Sequence, residues 1–134
     1  MNWKLIAQLS LFGLAMGIAT VFVISSNIEP LFWGGIFVIS AYFIAKHCAD
    51  RLFLHGLLVS MANSVWITAS HILLFDRYVA NHPEEMAMMA NMPLGNSPKL
   101  LMVFMGPIFG VVSGLVLGLF AVAAGKFVAA RKTS

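Results

Sequence analysis

Two sets of side chains in this sequence have the types and the spacing for chemistry. His82 is followed by Met86, Met88, Met89 and Met92, one imidazole and four thioethers within a short stretch. Soft donors of this kind select Cu(I) over harder cations, and His47 beside Cys48 offers a second soft pair elsewhere in the chain. The other set is periodic. At 100° per residue, Ser60, Ser64, Thr68 and His71 share an arc of about 80° on one helical face, with Asn63 on its flank and Asp76 beyond the histidine as a pairing partner for it. Such a row could line a path for water, ions or protons, and ionisable groups inside a bilayer mark functional sites by default. Both sets also have plainer uses. Methionine is an adaptable hydrophobe suited to lipid or partner surfaces, and hydroxyls inside a membrane hold helices together at about 0.6 kcal/mol per contact. His55 and His71 each lie close enough to an end of their apolar stretch to reach interfacial water.

The outer methionines, combined with glycine-spaced helices, resemble copper-uptake transporters over about a dozen residues, which implies Cu(I) handling. The three-helix plan of that family is absent. Four-helix multidrug exporters are similar in size but rely on a glutamate inside the first helix, where this chain offers only Gln8. Small dual-topology fluoride channels are similar in size too, yet the Lys/Arg distribution described below favours a single orientation. Enzymatic motifs are missing: there is no His-Glu-x-x-His, no Gly-x-Ser-x-Gly and no nucleotide-binding glycine loop. Ser113 sits in Gly-Val-Val-Ser-Gly, which departs from the rhomboid Gly-x-Ser-Gly. One cysteine excludes an internal disulfide and any Cys-x-x-Cys pair. A non-enzymatic protein without a cofactor is expected.

The elements that must position these groups follow from composition. Hydrophobic residues make up 60% and charged ones 10% of the chain, far from the soluble balance of about 45–50% and about 25%. An all-α, polytopic membrane protein is predicted, one domain over residues 1–134 with transmembrane helices over residues 5–24, 31–49, 52–75 and 100–124. Each run is near the ~20 residues needed to cross ~30 Å of hydrocarbon, and none alternates apolar with polar as barrel strands do. The first run is longer than a signal-peptide core and lacks a clear cleavage site. Lys4, Lys46, Arg51, Lys126, Arg131 and Lys132 then share one side against Arg77 and Lys99 on the other. The positive-inside rule makes the bundle N-in and C-in, in the plasma membrane. The basic tail suits anionic lipids, not nucleic acid.

The short hinges at residues 25–30 and 50–51 predict an up-down-up-down bundle in which consecutive helices are the main neighbours. Gly106, Gly110, Gly114 and Gly118 recur every fourth residue, with Gly13 and Gly17 in the first helix and Gly34 and Gly35 in the second. Such grooves let helices approach backbone to backbone, within one chain or between copies. Pro107 predicts a kink. Asn81 or His82, then Pro83, Glu84 and Glu85, predict the start of an outer amphipathic segment over residues 82–92. The expected function is a scaffold or accessory subunit that associates through its glycine-lined faces with membrane lipids and with a second copy or a membrane partner. The alternatives are transport of a small solute, ions or protons along the third helix, or Cu(I) handling.

Overall fold

The computed structural model describes the backbone of residues 1–133 and the side chains of residues 1–129. The side chains of Arg131 and Lys132 lie outside the described residues. Every element among them is helical: α1 Trp3–Phe22, α2 Glu29–His47, α3 Leu52–Leu73, α4 Phe75–Asn81, α5 Pro83–Ala90 and α6 Pro98–Thr133. α1, α3 and the Pro98–Ala129 stretch of α6 are long and apolar enough to span a membrane. α2 has an apolar centre, but Glu29, Lys46 and His47 at its ends dilute it.

Local chemistry sets the boundaries. Asn2 accepts the Leu5 N–H through its side-chain oxygen at 3.1 Å and caps α1. α2 opens with Glu29 and Pro30 and closes with Lys46 and His47, each charge opposed to the helix-dipole end it meets. Arg51 turns the chain into α3 with a left-handed φ of 51°. The segment expected over residues 82–92 is the helix α5, Pro83–Ala90. Two expectations are corrected here. The third long helix stops at Leu73, not residue 75, and a separate α4 follows after Leu74. Asn81 does not cap α5, whose preceding residue His82 makes no side-chain capping bond either, because both side chains are engaged by α1.

Packing departs from the order of the chain. α3 is the central helix, with α1 along one flank and α6 along another, while α2 lies chiefly against α6 and touches α1 and α3 less. Residue pairings give the directions: Asn2 to His55 and Thr20 to His71 make α1 parallel to α3, and Gly106 to Thr68 and Gly118 to Phe53 make α6 antiparallel to it. The physical reason is side-chain size. Cβ atoms added at Gly13 and Gly56 would lie 2.5 Å from the Asn63 Cα and 2.7 Å from the Gly118 Cα respectively, so these backbones already touch. α2 has no such contact, since nothing lies within 4 Å of Gly34 or Gly35. It is held instead by large side chains: Phe37 packs edge-on to Trp33 and to Phe120, and Ile44 joins Leu9, Val59 and Leu117 in the main core.

The glycine ladder, expected to pack against another helix within one chain or between copies, is occupied inside the monomer. Gly106 meets Thr68, Gly110 meets Ser64, Gly114 meets Leu57 and Gly118 meets Phe53, all on α3. Gly13 and Gly17 meet Asn63 and Ser70 on the same helix. Two small-residue grooves thus grip one central helix, and α6 runs through Pro107 as one helix. The outward faces are as apolar as the interior, with Leu31, Leu73 and Phe127 exposed, which is the pattern of helices bathed in hydrocarbon.

Candidate functional site

The polar side chains of the bundle lie where α3 meets α1 and α6, at three levels. At the level where α1 and α3 begin, His55 is buried. Its Nδ1 is 2.9 Å from the Arg51 carbonyl, which can only accept, so Nδ1 carries the hydrogen and Nε2 accepts the Asn2 backbone N–H at 2.9 Å. Both ring nitrogens are used in joining α1 to α3, which leaves His55 a structural clasp.

At the middle level Ser60 and Ser113 are 2.7 Å apart across the α3–α6 contact, and Ser113 donates to the Phe109 carbonyl at 2.6 Å. Asn63 accepts the Gly13 N–H at 2.9 Å, while its side-chain nitrogen is buried without a partner, as is the hydroxyl of Ser40 on α2. Ser64 donates to the Met61 carbonyl at 2.7 Å and Ser70 to that of Trp66 at 2.8 Å. The Trp66 indole N–H donates to Ser10 at 3.2 Å. Each hydroxyl of the expected stripe therefore faces a neighbouring helix or its own backbone.

The level where α1 and α3 end is the most built. α1 ends at Phe22, so the carbonyls of its last turn have no partner within the helix. His82 Nε2 is 2.7 Å from the Thr20 carbonyl and the Asn81 amide donates to the Val21 carbonyl at 2.5 Å. The α4–α5 junction is thus the C-terminal cap of α1. Thr20 donates its hydroxyl to the Met16 carbonyl at 2.8 Å and accepts from His71 Nε2 at 2.9 Å. The rings of His71, Tyr78 and His82 stack with centroids 4.1 Å and 4.5 Å apart. Ser26, in the α1–α2 hinge, is 3.1 Å from His82 Nδ1 and donates to Glu85, whose other oxygen is 3.6 Å from the same Nδ1.

Two groups at this level titrate away from their ordinary ranges. Burial, with the negative charges of Glu85 and Glu29, pushes the Tyr78 phenol up to about 12. Partial burial alone would raise Glu85, but hydrogen bonds from Ser26 and the backbone, together with His82, hold its carboxyl below the usual carboxylate value.

Of the residues singled out in the sequence, Ser60, Asn63, Ser64, Thr68 and His71 lie in these seams. Asp76 does not: it is exposed, and His71 takes Thr20 and Tyr78 as its neighbours instead. The helical turn of α5 separates the methionines, with Met89 packed beside Val21, Tyr78 and Met102 while Met88 is 69% and Met92 41% exposed. His82, expected as their companion ligand, points both nitrogens at α1 and the hinge. No group of three His, Cys, Asp or Glu among the described residues could hold a metal ion.

Thr20, Ser26, Gly56, Tyr78 and Asn81 were not singled out for these roles. Gly56 carried a signal, since Gly56, Ser60 and Ser64 recur every fourth residue on α3. No family model, curated protein or solved structure matches this chain.

Proposed function

We propose that this chain is an integral membrane protein crossing four times through α1, α2, α3 and α6, with both termini on the cytoplasmic face of the plasma membrane, and that it works as a non-enzymatic scaffold or accessory subunit. Alternation of the four long helices puts Lys4, Lys46, Arg51 and Lys126 at one end and Arg77 and Lys99 at the other. That asymmetry supports the orientation. The observation that carries the scaffold reading is that the polar stripe of α3 is closed by glycine: Ser64 against Gly110, Thr68 against Gly106 and Asn63 against Gly13. Side chains that fill a helix contact hold the bundle and line no open path. What remains for a membrane partner is the lipid-facing surface, where Gly34 and Gly35 of α2 meet nothing within 4 Å. The test is flux. Vesicles containing the purified chain and an entrapped pH- or ion-sensitive dye should leak no faster than empty ones. A flux abolished by Asn63→Leu or His71→Leu overturns the reading.

A further inference from the structure

α1 and α2 meet through large side chains, and the inner end of their seam stays open. A groove of about 310 Å³ lies there between the first turns of α1 and the last turn of α2, lined by Asn2, Lys4, Leu5, Gln8, Phe43 and His47. Its apolar wall is Leu5 and Phe43; its polar rim is Lys4, Gln8 and His47, all three exposed. The His47 ring lies parallel to that of Phe43, with centroids 6.0 Å apart and 7° between planes, which fixes the imidazole beside the apolar wall. Lys4 gives the rim an uncompensated positive charge. Among the described residues neither Lys4 nor His47 has a carboxylate in ion-pair range, since Asp50 sits by Arg51 and Glu85 by His82 at the far end. Trp3, 64% exposed beside the groove, is the kind of residue that settles at the level of lipid headgroups.

We propose that this groove seats an acidic glycerophospholipid of the inner leaflet. Lys4 supplies the charge opposite the phosphodiester, His47 and Gln8 hydrogen-bond its oxygens, and an acyl chain lies along Leu5 and Phe43 toward the bilayer centre. A phosphodiester monoanion without a choline matches a rim with a lysine, two neutral hydrogen-bonding side chains and no acid, and basic pockets between helices on the cytoplasmic side take such headgroups. The inner-leaflet assignment rests on the orientation proposed above, whereas the groove and its chemistry do not.

The test uses the full chain, purified from mixed phosphatidylglycerol and phosphatidylcholine, with retained lipid counted by native mass spectrometry after gentle delipidation. The native chain should keep phosphatidylglycerol in preference to phosphatidylcholine. Lys4→Gln should weaken retention about fivefold, Lys4→Gln/His47→Gln should abolish the preference, and Lys126→Gln, on another face, should leave it intact. Millimolar inorganic phosphate should not displace the lipid. Equal retention of both lipids, undiminished retention in the double variant, or displacement by phosphate overturns the proposal. The substituted side chains are exposed, so thermal stability in a zwitterionic detergent should match the native chain. Retention with the groove located on the outer face would keep the lipid site and refute only the orientation.

Discussion

A methyl group placed at Gly13 tests whether the glycines close the monomer or wait for another copy. Its carbon would lie 2.5 Å from the Asn63 Cα and 2.7 Å from its side-chain oxygen, where ordinary contact begins at 3.4 Å, so α1 and α3 must part by about 0.9 Å. Overpacking of that kind costs about 1–3 kcal/mol. The same movement stretches the 2.9 Å bond from the Gly13 N–H to Asn63, adding about 0.6 kcal/mol. Gly56→Ala meets the Gly118 backbone at 2.7 Å and lacks the second contribution. Gly34→Ala and Gly35→Ala enter open space and should be neutral or slightly stabilising, since Ala favours a helix over Gly by roughly 0.5–1 kcal/mol. In detergent micelles followed by circular dichroism, Gly13→Ala should lower the melting temperature by about 10 °C, Gly56→Ala by somewhat less, and the α2 variants hardly at all. Gly13→Ala melting with Gly35→Ala would refute the reasoning. So would a change in oligomeric state at unaltered stability, because the seam would then lie between copies.

The outer cap supplies three further expectations. Asn81→Ala should cost about 1–3 kcal/mol in the same melting assay by leaving the Val21 carbonyl without its partner, whereas Asn91→Ala, whose amide bonds an exposed turn of α5, should cost little. Because the folded Glu85 carboxyl titrates below its ordinary value of about 4.5, its contribution to stability is fully present above that value and is lost as pH falls through the lower, folded one; Glu85→Gln should flatten this acid limb, and an unchanged limb would assign it elsewhere. In a Tyr42→Phe background the remaining phenol is Tyr78, held up to about 12, so absorbance at 295 nm should stay flat past pH 10; a midpoint near 10 would mean the ring stack opens in solution.

Much of the architecture was legible because hydrocarbon demands it. Long apolar runs announce α1, α3 and α6, and Pro83 with Glu84 and Glu85 announces α5. The spacing from Gly106 to Gly118 indicates a close helix contact, but the four-residue period does not say with which helix. That choice depends on complementary small residues on α3, above all Gly56, Ser60 and Ser64, which only pairing reveals. Hinge lengths suggested consecutive neighbours, yet size outweighed connectivity: α2 has no glycine facing inward and was left to pack through aromatic rings on α6. The outer site was the least legible. His71, Tyr78 and His82 were visible as residues, but their stack depends on the chain breaking at Leu74 and on the α1 carbonyls of Thr20 and Val21 needing donors, a requirement created by where α1 stops. Asp76 looked like the partner of His71 because it is near in sequence, while the nearer group in space is Thr20, reached through the parallel contact of α1 with α3.

The crossing of α2 is where the four-span claim is most exposed, and the native Cys48 lies at its C-terminal end, the cytoplasmic one in the proposed orientation. A membrane-impermeant maleimide applied to intact cells should leave Cys48 unlabelled until the membrane is permeabilised. In a Cys48→Ser background, a cysteine replacing the exposed Asn27 at the other end of α2 should label at once. Labelling of both positions from the same face would show that α2 does not traverse the bilayer and would contradict the account.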